Sequence, residues 1–136
     1  MDSSAAGSTI AERAPTILVV DDDLQVLRFL TRMLDMLGYQ HVLGAPSIAE
    51  AVKLFQANED VIALVISDFV MPCGTGDSLI AELRRHKPGL RSLIISGNDP
   101  DALVSAIPLQ CGVNFLQKPF TVSDMKRAMD VLTASE

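Results

Sequence analysis

Residues able to do chemistry are few in this sequence, and they follow a pattern. Asp21, Asp22 and Asp23 come directly after the apolar run Ile17-Leu18-Val19-Val20. Asp68 follows Ile62-Ala63-Leu64-Val65-Ile66 and one serine, Ser96 follows Leu93-Ile94-Ile95, and Lys118 follows a shorter run ending at Leu116. Such short continuous runs suit strands buried on both faces of a parallel sheet. In open α/β sheets ligands bind just beyond the carboxyl ends of the strands, so acids, hydroxyls and amines there are placed for chemistry. Aspartate is also a common turn residue after a strand, so Asp68 alone decides nothing. Its companions do.

If the runs lie side by side, Asp21, Asp22, Asp68, Ser96 and Lys118 share one edge. Two or three carboxylates within about 4 to 6 Å repel one another unless a cation sits among them, and the single charge of Lys118 cannot balance three. A hard divalent ion is implied, and oxygen ligands with access to water favour Mg²⁺. Mg²⁺ beside a carboxylate, a lysine and a hydroxyl is a set of groups for phosphoryl transfer, the carboxylate attacking while the cations neutralise phosphoryl oxygens. The chain has no glycine-rich phosphate loop to hold a nucleotide, so the phosphoryl donor must come from elsewhere. His41 and His86 do not follow any of the runs and read as structural or solvent-facing.

The elements that must position these residues alternate from the start. Leu27, Leu30, Leu34 and Leu37 recur at helical spacing after the first acids, with Gly38 as terminator. His41 to Ala45 is a weak strand, and Ser47 with Glu50 opens a helix through Ile48, Val52 and Phe55. After the Asp68 loop a third helix carries Leu79, Ile80 and Leu83 and closes at Lys87-Pro88-Gly89. Asp99-Pro100 has the form of a fourth helix start, with Pro108 cutting that helix to about two turns. Val113 to Leu116 is a fifth strand, and a fifth helix opens at Thr121 with Val122, Met125, Met129 and Leu132 on one stripe. The expectation is an α/β fold: a doubly wound, five-stranded parallel sheet in the flavodoxin-like order 2-1-3-4-5 with five helices.

Composition bounds the rest. A chain of 136 residues is about one domain long. Its 49% apolar content contains no run near the roughly 20 residues of a membrane-spanning helix. With 11 basic against 17 acidic residues and a net charge of −6, a nucleic-acid surface is not expected. The basic cluster Arg84-Arg85-His86-Lys87 falls where a helix should end and complements its dipole. Cys73 and Cys111 match no metal spacing and no disulfide framework, which points to a reducing cytoplasm. Residues 1–14 are small and polar, without signal-peptide character, and read as a disordered tail before a domain over residues 15–136.

Together these motifs resemble the receiver domain of two-component response regulators, from about Thr16 to Leu132: Asp21-Asp22 after ILVV, Asp68 followed by Met71-Pro72, Ser96 after LII, and Lys118-Pro119-Phe120 after a strand. The run FLQKPF is similar to receivers attached to hybrid sensor kinases. The resemblance implies that Asp68 accepts a phosphoryl group from a histidine kinase or histidine phosphotransfer protein. It implies that Asp21, Asp22, Asp68 and the main-chain carbonyl of Val70 hold Mg²⁺, Asp21 largely through water. Ser96 would hydrogen-bond the phosphoryl group and Phe115 would turn inward with it, switching a face made of the fourth helix, fifth strand and fifth helix. That face would engage an output protein or a second copy. Ser96 in place of threonine, Gly97 in place of alanine, Phe115 in place of tyrosine, and Pro108 depart from the common pattern and bear on the switch face. Two rival readings are a haloacid-dehalogenase-like phosphatase with Asp21 as nucleophile, and a receiver-like binding module that is not phosphorylated.

Overall fold

The structure, a computed structural model, describes residues 15–134. The expectation of a disordered tail over residues 1–14 falls outside them. The apolar runs form the strands of one parallel sheet: β1 (Thr16–Val20), β2 (Val42–Ala45), β3 (Ile62–Asp68), β6 (Arg91–Ser96) and β7 (Phe115–Gln117). Their order is β2-β1-β3-β6-β7, the expected 2-1-3-4-5 among the core strands. A two-stranded antiparallel pair, β4 (Val70–Met71) and β5 (Gly74–Thr75), stands apart after Asp68.

Side chains alternate across the sheet, and each face has its own core. Ile17, Val19, Leu64, Ile66, Leu93, Ile95 and Leu116 pack on one face, against α1 (Leu24–Met36) and α4 (Val122–Leu132). Leu18, Val20, Val65, Ile94 and Phe115 pack on the other, against α2 (Ile48–Ala57) and α3 (Gly76–His86). Burial on both faces is why the runs read as continuously apolar and not as alternating.

Local sequence sets the helix ends. The Asp23 carboxylate accepts hydrogen bonds from the N–H groups of Gln25 (2.9 Å) and Val26 (3.4 Å) and so caps α1. At its far end Gly38 takes a φ of 99°, which lets the Tyr39 N–H reach back to the Leu34 carbonyl at 2.9 Å. Ser47 caps α2 through the Glu50 N–H. Thr121 and Asp124 form a complete capping box at α4, with bonds of 3.0 and 2.8 Å. Met125, Met129 and Leu132 of the α4 stripe are buried, but Val122 is exposed and Ala128 takes a place in the core.

The fourth of the five expected helices is not there. Among the described residues the α-helices are four, and Asp99-Pro100 opens only a 3₁₀ turn, Pro100–Ala102. The start signal is real, since Asp99 accepts the Asp101 N–H at 2.9 Å, but nothing sustains it. Pro108 lacks an N–H and disfavours helical backbone at Ile107. The Ser105 hydroxyl accepts from the Ile107 N–H (3.1 Å) and donates to the Ile107 carbonyl (2.7 Å), satisfying locally the groups a helix would use. The fourth helix named in the expected switch face is therefore absent among the described residues. On β7, Leu116 meets α4, while Phe115 belongs to the core cluster that holds Ile107, with Leu103 and Leu109 packed against it.

This irregular segment is nonetheless anchored: Ile107 is 8% exposed while Val104, three residues before it, is 96% exposed. Ile107→Asp is expected to lower the urea midpoint by an amount worth about 2 kcal/mol or more, and Val104→Asp to stay within about 0.5 kcal/mol of wild type. Equal effects would show that the segment does not pack in this register.

A carboxylate cluster at the carboxyl edge of the sheet

Each candidate residue sits where a strand runs out. Asp21 directly follows β1, its N–H bonded to the Ala45 carbonyl of β2 at 3.1 Å, and it is 2% exposed. Asp22 is the next residue and is exposed. Asp68 is the last residue of β3. One carboxylate oxygen from each of Asp21, Asp22 and Asp68 comes within 4.8 Å of the others. Ser96 ends β6 and is buried, its hydroxyl oxygen accepting the Asn98 N–H at 3.0 Å. Lys118 follows β7, fixed by its N–H to the Ser96 carbonyl (2.8 Å), and its Nζ stands 3.8 Å from Asp68 Oδ1. The sheet order therefore brings the five polar residues predicted from the sequence to one edge.

Electrostatics matches this crowding. Burial pushes the Asp68 carboxyl above its ordinary value, and the Asp22 charge adds to that; Lys118 and the Phe69 N–H, 3.0 Å from Oδ1, oppose it without cancelling it. Burial likewise raises the Asp21 carboxyl, with the charges of Asp68 and Asp22 adding to the rise. The N–H of Asp23, 2.9 Å from Asp21 Oδ1, and Lys118 act the other way. One lysine does not neutralise the group, and three acidic oxygens within 4.8 Å of one another form a set of hard donors suited to a small divalent ion.

Several features that hold this edge were not anticipated from the sequence. Gly76 begins α3 so close to β3 that a Cβ there would lie 2.2 Å from the Asp68 carbonyl oxygen and 2.6 Å from Ser67 Oγ. Ser67 is fully buried, and its hydroxyl donates to that same carbonyl at 2.9 Å. The Phe69 carbonyl accepts the Gly76 N–H at 2.7 Å, closing the Asp68 loop onto the helix. Asp77 is buried in the first turn of α3, and its Oδ2 accepts the Ala106 N–H at 2.6 Å. Burial favours its neutral form, but the donors around it, from Thr75, Ala106, Ser78 and its own N–H, hold its carboxyl below the ordinary value. The glycine was visible in the sequence as a loop residue. The need for it arises only from the approach of helix to strand.

Other sequence expectations sit differently. Val70 lies in β4, paired with Thr75, with a side chain 60% exposed beside the site. Phe115 is already fully buried. Cys73 and Cys111 are free and exposed.

Residues 17–130 match the family model described as the response regulator receiver domain. The chain is 33% identical over 110 residues to the sensor kinase CckA of Brucella abortus (strain 2308), covering 81% of this chain but 12% of CckA. It is 36% identical over 117 residues to the transcriptional regulatory protein GlrR of Escherichia coli (strain K12), covering 84% of this chain and 25% of GlrR. It thus spans a quarter or less of the length of these two relatives. A receiver domain structure from Clostridium thermocellum superposes with a TM-score of 0.74 at 28% identity, covering 87% of this chain and 93% of that one. The phosphatase reading with Asp21 as nucleophile does not stand beside this match, and the Lys118 ammonium pairs with Asp68.

The crowding has a measurable consequence. A folded-state carboxyl raised above its unfolded value destabilises the fold; the penalty is absent below the unfolded value near 4 and complete once pH exceeds the raised one. Repulsion between charges about 4 Å apart is on the order of 1 to 4 kcal/mol. Asp68→Asn is therefore expected to melt higher than wild type at pH 7 in EDTA, the gain shrinking as pH falls toward 4. A variant that melts at or below wild type across this range would contradict the crowding.

Proposed function

Because the chain belongs to the response regulator receiver domain family, the phosphoacceptor module of two-component signalling, we propose that Asp68 is its phosphoacceptor. The phosphoryl donor is a phosphohistidine on a histidine kinase or histidine phosphotransfer protein. The observation that carries the reading is the setting of Asp68. Its Oδ1 is engaged by the Phe69 N–H and faces Lys118, while among the described residues no group donates a hydrogen bond to Oδ2. That oxygen keeps its lone pairs for attack on phosphorus. The new P–O bond forms as the donor's P–N bond breaks, and the electron pair leaves with the imidazole nitrogen.

The three carboxylates fit Mg²⁺, since one oxygen from each lies within 4.8 Å of the others and all are hard donors. Asp21, Asp22, Asp68 and the main-chain carbonyl of Val70 would hold it. When bound, the ion neutralises phosphoryl oxygens and relieves the repulsion among the acids. Lys118, its Nζ 3.8 Å from Asp68 Oδ1, contributes a further positive charge. Ser96 accepts the Asn98 N–H, which leaves its own proton free to donate to a phosphoryl oxygen. These groups assist the chain's own phosphorylation. The side of β7 that bears Phe115 and residues 103–109 passes the phosphorylation state to an output partner or a second copy. No described helix is long and apolar enough to cross a membrane, and the free cysteines suit the cytoplasm.

Incubation with acetyl phosphate and Mg²⁺ is expected to add one phosphoryl group to the wild type and none to Asp68→Asn, read by intact mass. A mutant that still gains the group sinks the assignment. The lifetime of the acyl phosphate is set at Val70 and Asn98, which stand two residues beyond Asp68 and Ser96. Valine cannot hydrogen-bond an attacking water, and its exposed side chain lies beside the acceptor. Polar positioning of a nucleophile is typically worth about 10²-fold. Val70→Asn is expected to speed loss of the phosphoryl group once the phosphodonor is removed, and Asn98→Ala to slow it or leave it unchanged. Slower decay in Val70→Asn would overturn the argument.

A further inference from the structure

Asp77 is a buried carboxylate that the phosphoacceptor chemistry does not use. It is 3% exposed, and its Oδ1 has no hydrogen-bond partner. Its Oδ2 accepts the Ala106 N–H at 2.6 Å. That bond joins two regions that matter for signalling. Behind Asp77, a short series of contacts leads to the acceptor: the Phe69 N–H donates to Asp68 Oδ1, the Phe69 carbonyl accepts the Gly76 N–H, and Gly76 packs against the Asp68 carbonyl too closely for any side chain. Ahead of it, Ala106 precedes Ile107, which is buried in the same core cluster as Phe115.

The segment that Asp77 holds has little else to hold it. No α-helix spans residues 103–114, and the other hydrogen bonds of residues 99–110 close within the stretch from Asp99 to Asn114. Side-chain packing and the Asp77 carboxylate fix its position. A carboxylate accepting a short backbone N–H bond away from water is a strong directional tie, and leaving that N–H unpaired is costly.

We propose that Asp77 is a positioning residue that couples the Asp68 loop to residues 103–107, so that occupation of the phosphoacceptor site is transmitted to the Phe115 side of β7 through the Asp77–Ala106 hydrogen bond. The inference rests on Asp68 being the acceptor. A ligand shifts a segment only through differential interaction with its arrangements, and this bond is the polar link that makes the segment follow the start of α3. The route runs along the α3 side of the site.

Backbone amide spectra with and without beryllofluoride and Mg²⁺ test it. In the wild type, shifts are expected at Phe69, reporting occupation, and also at Ala106 and Ile107. In Asp77→Ala the Phe69 shift should persist while those at Ala106 and Ile107 are lost. Asp77→Asn, which keeps an acceptor oxygen, should restore them, an outcome that a merely structural loss would not give. Ala106→Pro removes the donor and leaves α3 untouched; with no amide at 106 it is read at Ile107, whose shift should be lost as in Asp77→Ala even where that variant folds poorly. Undiminished shifts at Ile107 in both Asp77→Ala and Ala106→Pro overturn the proposal. A wild type that shifts at Phe69 but not at Ala106 overturns the coupling alone, and one that does not shift at Phe69 overturns the acceptor assignment along with it.

Discussion

Mutual repulsion among Asp21, Asp22 and Asp68, whose oxygens lie within 4.8 Å of one another, is the constraint around which the domain is built. Like charges that close do not assemble by themselves, and the sheet forces them together. β1 and β3 are neighbours in register, so the residue after β1 and the last residue of β3 leave the sheet on the same edge. Both strands are apolar on both faces, which fixes them in the core and leaves their ends no freedom to separate. Lys118 relieves part of the repulsion, and its placement depends on β7 adding beside β6.

The helices contribute by where they start. The Asp23 carboxylate caps α1, so the third acid of the DDD run serves the helix while the first two serve the site. Gly76 allows α3 to begin against the Asp68 carbonyl, which holds the Asp68 loop closed. A disturbance of the cluster would therefore reach backbone that is already in contact with α3. A more loosely supported loop would absorb it.

Much of this was legible in the sequence because it rests on patterns with short reach. Apolar runs ending in Asp21, Asp68 and Ser96 announced both the strands and the site, since burial of a strand and exposure of its end are written in adjacent residues. What was misread depends on contacts between distant segments. Asp99 and Pro100 carry a valid helix start, yet the segment after them is held by Asp77, Ser105 and the burial of Ile107, and only the fold brings Asp77 there. The β4–β5 pair is too short to leave a periodicity. The role of Ser67 is invisible until β3 and α3 are seen to touch, and that of Asp77 until α3 is seen beside Ala106, because either residue alone reads as an ordinary strand or helix-start polar residue.

If the cluster is held together against its own charge, a divalent cation should stabilise the fold by binding it. Thermal unfolding at constant ionic strength, with MgCl₂ replacing NaCl, measures this directly, because a ligand that binds only the folded state stabilises it by RT ln(1 + [L]/Kd). A melting temperature that rises with Mg²⁺ in the wild type and does not rise in Asp21→Asn is the result the crowded cluster predicts. A wild type whose melting temperature is indifferent to Mg²⁺ at matched ionic strength would contradict it.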